Sequence, residues 1–253
     1  GSYAFKNCSG LTSVTIPVSV ESIGDGAFYG CSSLSEIKLP NSIKTIGNVV
    51  FANCTSITSF VIPNSVTEMG ASVFSGCSGL KSITISESIK SIGSYAFINC
   101  YIFNLEIPDS VNEIGEYAFS GCKGIVSVVA GSKLASVGWN AFSSCANIES
   151  AVIPPIKLST IFPGSYKTIT NLEVSVGADA IPSKMFEDCA ALCSVTIPLG
   201  VTNVGSYAFK NCPEIRSINV PGDLERMTWL FPDSYVKITT ATVVEGSCRL
   251  INS

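Results

Sequence analysis

The sequence predicts a solenoid: a right-handed, curved stack of short coils, with a parallel β-sheet on its concave face and short helical or 3₁₀ turns and irregular segments on its convex face. Three observations predict it. Phenylalanine–cysteine pairs recur with a period of 23 over most of the 253 residues. Alternating apolar segments ending in Ile-Pro, then aliphatic–glycine pairs, fall at fixed offsets from those pairs. The composition, 46% hydrophobic and 13% charged, suits a chain with a large core, since disorder needs low hydrophobicity and high charge.

The cysteine column sets the register. Nine of the eleven cysteines stand at Cys8, Cys31, Cys54, Cys77, Cys100, Cys122, Cys145, Cys189 and Cys212, and each has a phenylalanine three residues before it. Five residues before the phenylalanine lies Ile or Val, or Met69 in one coil; a glycine follows in every case except Ile181-Pro182. The stretches Leu11-Thr-Ser-Val-Thr-Ile-Pro17 and Leu192-Cys-Ser-Val-Thr-Ile-Pro198 show the next part of the unit. Self-similarity at such a period marks coils that cannot bury their apolar faces alone and form a continuous core by stacking.

Each element of the unit has a physical reason. The V-x-I alternation suits a short strand with alternate side chains inward, and strands about 4.8 Å apart build a sheet about 50 Å long. Proline then ends the ladder because it has no N–H. The Ile-Gly pair turns the chain, and x-Ala-Phe-x-x-Cys reads as one short helical or 3₁₀ turn on the convex side. There the phenylalanines stack as an aromatic spine and the cysteines form a column of small buried thiols.

One interval of 44 residues hides a degenerate coil. Here Tyr166 is placed at the phenylalanine position and Ile169 at the cysteine position. A related segment, Phe231-Pro-Asp-Ser-Tyr235-Val-Lys-Ile238, follows 69 residues later, three periods on. Residues 1–253 are therefore expected to form one domain of about eleven coils, truncated mid-repeat at both ends. Cut ends of this kind would expose coil interiors and favour end-to-end self-association.

Composition excludes several function classes. Histidine is absent, so no Ser-His or Cys-His nucleophile pair and no His-ligated metal can form. A net charge of −4 and a pI near 4.9, with 15 dispersed Lys and Arg, argue against nucleic acid as partner. No apolar run approaches the roughly 18 residues that span a bilayer, so no membrane insertion is expected within this chain. No cofactor is expected.

The repeat resembles that of the BspA-like leucine-rich repeat family, in its 23-residue unit, I-P-x-S-V, I-G-x-x-A-F and trailing cysteine. The resemblance covers nearly the whole chain and departs at residues 155–180 and 222–253. It implies a leucine-rich-repeat solenoid from a cell-surface or secreted protein of host-associated bacteria or protozoa. It also implies adhesion or protein–protein binding rather than catalysis. No ligand residues carry over, because the family motif consists of core positions.

Candidate chemistry is sparse. Cysteine pairs lack the tight spacing of zinc sites; Cys189 and Cys193 are four residues apart. Coil spacing holds parallel Cβ vectors near 4.8 Å, above the roughly 3.8 Å mean for a disulfide, so reduced thiols are expected. Cys193 and Cys248 lie off the column. Glu36, Glu106 and Glu173 stand two or more coils apart, too far for a paired-carboxylate site, and Asp179, Glu187 and Asp188 lie in turns. Asn7 and Asn53 head N-C-S/T triplets that the repeat itself generates. Aromatics in the degenerate coils, Tyr166, Trp229, Phe231 and Tyr235, read as altered core packing or as an exposed partner patch. Trp139 reads as outward on the convex side.

The concave strand face is the default binding surface of a curved solenoid. The expected binding residues there are Glu36, Lys38, Ser59, Ser82, Thr84, Asn104, Glu106 and Ser127. Further along, the outward pairs are expected at Ser150/Val152, Glu173/Ser175, Ser194/Thr196 and Ser217/Asn219. The expected function is non-catalytic binding to surface or extracellular-matrix proteins of a host or neighbouring cell. The alternative is a structural spacer projecting another domain.

Overall fold

The computed structural model describes residues 1–221 and 238–244 of the chain. Trp229, Phe231, Tyr235 and Cys248 lie outside the described residues. The rest is a stack of coils held by three lateral hydrogen-bond ladders.

The first ladder is built from the V-x-I segments. Strands such as Ser13–Thr15, Ser59–Val61, Asn104–Ile107, Ser127–Ala130, Ser150–Ile153 and Asn171–Val174 lie side by side, and every pairing among the described residues is parallel. Where strands pair, register joins a residue to its counterpart one coil on, as Ser13 to Glu36, Val128 to Ala151 and Leu172 to Val195; the pairing is interrupted between Glu36–Lys38 and Ser59–Val61 and between Ser82–Thr84 and Asn104–Ile107. Because side chains alternate across a strand, Leu105 and Ile107 enter the core while Asn104 and Glu106 face solvent. The proline after the strand donates no hydrogen bond. Instead its carbonyl closes a tight turn, accepting the N–H of the valine three residues on (Pro63–Val66, 2.9 Å; Pro108–Val111, 3.0 Å).

The second ladder is a set of two-residue strands just before the turn glycines, including Thr45–Ile46, Glu68–Met69 and Glu113–Ile114. The isoleucine or methionine points inward. The following glycine is required by close approach: a Cβ on Gly115 would meet the backbone N of Ser94 at 2.5 Å.

The third ladder corrects the sequence reading of the convex side. No helical or 3₁₀ turn forms at x-Ala-Phe-x-x-Cys. The residue two before each phenylalanine, and the one just before each cysteine, lie in the left-handed region, from Tyr3 (φ 56°) and Asn7 (φ 59°) to Tyr207 (φ 61°) and Asn211 (φ 58°). A right-handed helix cannot pass through such residues. Their alternation turns every second N–H sideways, so Phe51 bonds the Val73 carbonyl (2.8 Å) and Phe97 the Ala118 carbonyl (2.7 Å) of the next coil. The convex side is thus a column of stacked turns. Among the described residues the one α-helix is a single turn, Leu158–Ile161.

Inside, the phenylalanines form the expected spine. Phe28, Phe51, Phe74, Phe97, Phe119 and Phe142 follow one another with ring centroids 5.1–5.6 Å apart. The degenerate coil joins this spine differently from the sequence reading. Phe162, not Tyr166, continues it, edge-on to Phe142 at 5.0 Å. The helical turn draws Phe162 inward; Ser165, three residues on, is buried where other coils carry cysteine, its hydroxyl donating to the Cys145 carbonyl, and Tyr166 is half-buried beside it. Ile169 fills the slot of Leu11, Leu34 and Ile148 rather than that of cysteine, two residues before its strand, and is fully buried.

Candidate functional site

The thiol column is the most regular chemical feature. Cys31, Cys54, Cys77, Cys100, Cys122 and Cys145 each donate an S–H to the carbonyl of the phenylalanine in the preceding coil, at 3.0–3.1 Å. All six are free thiols. Burial pushes Cys54 and Cys145 up to about 12, and it raises Cys77, Cys100 and Cys122 well above the usual range, because a thiolate there would lose its water. Neutral, hydrogen-bonded sulfurs in a dry core are packing elements, without nucleophilic or metal-binding character. Among the described residues, no three His, Cys, Asp or Glu side chains gather as a metal-ligand set.

The strand face is the opposite kind of surface. Glu36, Lys38, Ser59, Ser82, Thr84, Asn104 and Glu106 are all exposed on it, and Ser127 is partly so, its hydroxyl donating to Asn104 Oδ1 at 2.8 Å. The fold does not gather them into one site. Ser82, Thr84, Asn104 and Glu106 line a hollow of about 640 Å³ that runs over strands Ser82–Thr84 to Asn171–Val174. Ser127 lines a smaller adjoining hollow of about 180 Å³, with Val129, Val152 and Glu173. Glu36, Lys38 and Ser59 line neither.

One expected pair is corrected. The outward residues of the coil after the helical turn are Asn171 and Glu173, paired with Ser150 and Val152. Ser175 is 7% exposed, its hydroxyl 3.4 Å from the Ala130 carbonyl. The cause is the misplacement of Ile169, which shifts the expected strand along the chain.

Four carboxylates, Glu87, Glu106, Asp109 and Glu173, border the larger hollow, and among the described residues no lysine or arginine does. Sequence reasoning missed Glu87 and Asp109. The available signal was the loss of proline after the strand in alternate coils, at Ser86, Gly131 and Ser175. These small residues leave space at the strand ends, and Ser86 is fully buried with its hydroxyl bonded to the Val66 carbonyl. Asp109 is held rigidly: its Oδ1 accepts the Ser132 N–H (2.6 Å) and hydroxyl (3.0 Å), which lowers its pKa, with a smaller push from Lys133. Glu106 and Glu173 are three strands apart, about 14 Å. That separation suits neither arrangement of glycosidase carboxylates.

On the turn side, Trp139 is 67% exposed and packs edge-on to Tyr117 at 5.2 Å, with Tyr95 stacked beyond at 5.2 Å. The sequence reading had Trp139 without its two tyrosine neighbours. Asn53 is exposed on the same side, its Oδ1 lying against Gly76.

Coils of 23 residues with a parallel strand face, a proline-ended ladder and an inward aliphatic–phenylalanine core define a leucine-rich-repeat solenoid. The chain belongs to the BspA-type leucine-rich repeat family, whose repeat region matches it in six copies over residues 1–104, 90–176 and 165–231. No curated protein matches the sequence. Among solved structures, the chain is similar to a leucine-rich cell surface protein from Faecalibacterium prausnitzii, at 25% identity and a TM-score of 0.51, over 98% of this chain and 76% of that one. A leucine-rich repeat protein from T. pallidum matches at 21% identity and a TM-score of 0.46, over 80% of this chain and 81% of that one. One from Bacteroides ovatus matches at 20% and 0.41, over 96% and 87%.

Proposed function

We propose that this chain is a non-catalytic binding module of a cell-surface or secreted protein, and that it contacts partner proteins, in adhesion, through its concave strand face. The observation that carries the reading is the division of labour along each strand. Inward residues are spent on the core, whereas the outward row, from Glu36 to Thr196, varies freely in charge and size at the same backbone register. A rigid frame with a variable concave surface is how solenoids present extended contacts. The F. prausnitzii neighbour is described as a cell surface protein, which supports the location.

The face is short-chained and poor in Trp and Arg, so affinity per contact is modest and grows with the number of coils engaged. The test is binding of the purified chain to a panel of immobilised extracellular-matrix and cell-surface proteins. Saturable binding to one or more of them is expected. Absence of binding across the panel would favour a spacer that holds another domain away from a surface.

A further inference from the structure

Within the binding role proposed above, the hollow on the strand face has a chemistry of its own. Register places Glu106, Val129, Val152 and Glu173 in one row across four adjacent strands. The row therefore reads acid, apolar, apolar, acid. Val129 is 42% exposed, and Val176, 74% exposed, adds apolar surface at the rim. Glu87 and Asp109 stand beside the row at the strand ends. None of the four carboxylates forms an ion pair among the described residues, whereas Glu21, Glu187 and Glu214 elsewhere do. The hollow thus has a negative border around an apolar floor, offset only in part where Lys133 lies near Asp109, and its carboxylates are too dispersed to hold a metal ion.

We infer that this hollow docks an extended polypeptide segment that carries basic side chains at positions i and i+4 and an apolar side chain at i+2. The spacing makes the assignment. Glu106 and Glu173 lie three strand intervals apart, about 14 Å, and an extended chain rises about 3.3 Å per residue, so positions i and i+4 are about 13 Å apart. A segment running along the solenoid axis sets a Lys or Arg over each end of the row, and the residue between them covers Val129 and Val152. Its intervening side chains point away to solvent. Charge complementarity supplies the attraction, and the apolar floor supplies register against other cationic chains.

The test uses the whole chain, isotope-labelled, titrated with short peptides and followed by the chemical shifts of its backbone amides. The matched probe is Lys-Ser-Val-Ser-Lys. The controls are Glu-Ser-Val-Ser-Glu and the permuted Lys-Lys-Ser-Ser-Val. The matched peptide is expected to shift amides of strands Asn104–Ile107 to Asn171–Val174, to bind more tightly than the permuted one, and to weaken as salt rises from 50 to 300 mM. The double substitution E106Q/E173Q is expected to weaken it about fivefold or more at low salt; E113Q, on the second ladder away from the strand face, leaves it unchanged. Equal binding of the acidic or permuted peptide, indifference to E106Q/E173Q, or no binding of the matched peptide overturns the inference. If panel proteins still bind through the strand face in those cases, the general reading stands alone. If panel binding ignores strand-face substitutions as well, both fall.

Discussion

The Cys77 thiol donates to the Phe51 carbonyl of the preceding coil at 3.0 Å, and that carbonyl also accepts the Cys54 N–H at 3.1 Å. The same three-part contact recurs along the column, so each sulfur joins two coils while filling a core slot. The thiol is not the carbonyl's one donor. Cys77→Ala therefore leaves no orphaned carbonyl, and it costs about 1–2 kcal/mol for the lost contact and small void. Denaturant unfolding of that variant checks the size. In the native protein the column thiols should also resist a soluble disulfide reagent until unfolding exposes them.

The thiols also give stability a pH dependence. An unfolded cysteine ionises near pH 8.5–9, whereas burial holds Cys54 and Cys145 up to about 12. Between these limits the unfolded chain binds fewer protons than the native one, so stability falls as pH rises. Each buried thiol contributes about 1.4 kcal/mol per pH unit above pH 9. Unfolding midpoints from pH 7 to 10.5 should be flat at first and then drop steeply. The drop should be shallower in C54A/C145A.

The aromatic spine should be the costliest place to cut. Phe97 is fully buried between Phe74 at 5.3 Å and Phe119 at 5.2 Å. Phe97→Ala removes contacts to both neighbours and should destabilise by about 3–5 kcal/mol. Because coils interact mainly with their neighbours, hydrogen exchange should show the loss concentrated in the adjacent coils.

The turn column makes a sharper test of backbone geometry. Val49 holds φ 50°, an unusual conformation for a β-branched residue, at a slot that carries Gly26 one coil earlier. Val49→Asn should raise stability by about 1 kcal/mol, read as a shift of about 2–4 °C in Tm. Gly76 is the converse. It has φ 71°, and a Cβ there would run into Asn53 Oδ1, so Gly76→Ala should destabilise by more than about 1 kcal/mol.

Core slots were legible in the sequence because they repeat with identity as well as period: Phe97 and Cys100 are fixed by packing on like residues in both neighbouring coils. The strand face followed from the same register, since an inward Leu105 forces an outward Glu106. The turn conformation was half legible: the slot before each cysteine carries residues that favour the left-handed region, such as Asn7, Gly30, Asn53, Gly76 and Asn99, whereas the slot two before each phenylalanine is filled by Tyr95, Val49, Ser72 and Lys184, which have no such preference. The ladder of sideways hydrogen bonds imposes it. The Ile169 slot and the Asn171/Glu173 pair were misplaced because a single helical turn breaks the phase between phenylalanine and strand. Asp109 and Glu87 escaped notice because the hollow beside them arises from missing prolines, not from any residue that advertises chemistry.

The central claim, that the strand face is the working surface, is tested most directly by comparing two variants against any panel protein the chain binds. Val129→Arg places a long charged side chain at the centre of the strand face, and Trp139→Ala removes the most exposed aromatic of the turn side. The account predicts that Val129→Arg weakens binding at least about tenfold with unchanged unfolding behaviour, a loss of about 1.4 kcal/mol, while Trp139→Ala has no effect. Loss of binding with Trp139→Ala and none with Val129→Arg would contradict it and move the site to the aromatic row of Tyr95, Tyr117 and Trp139.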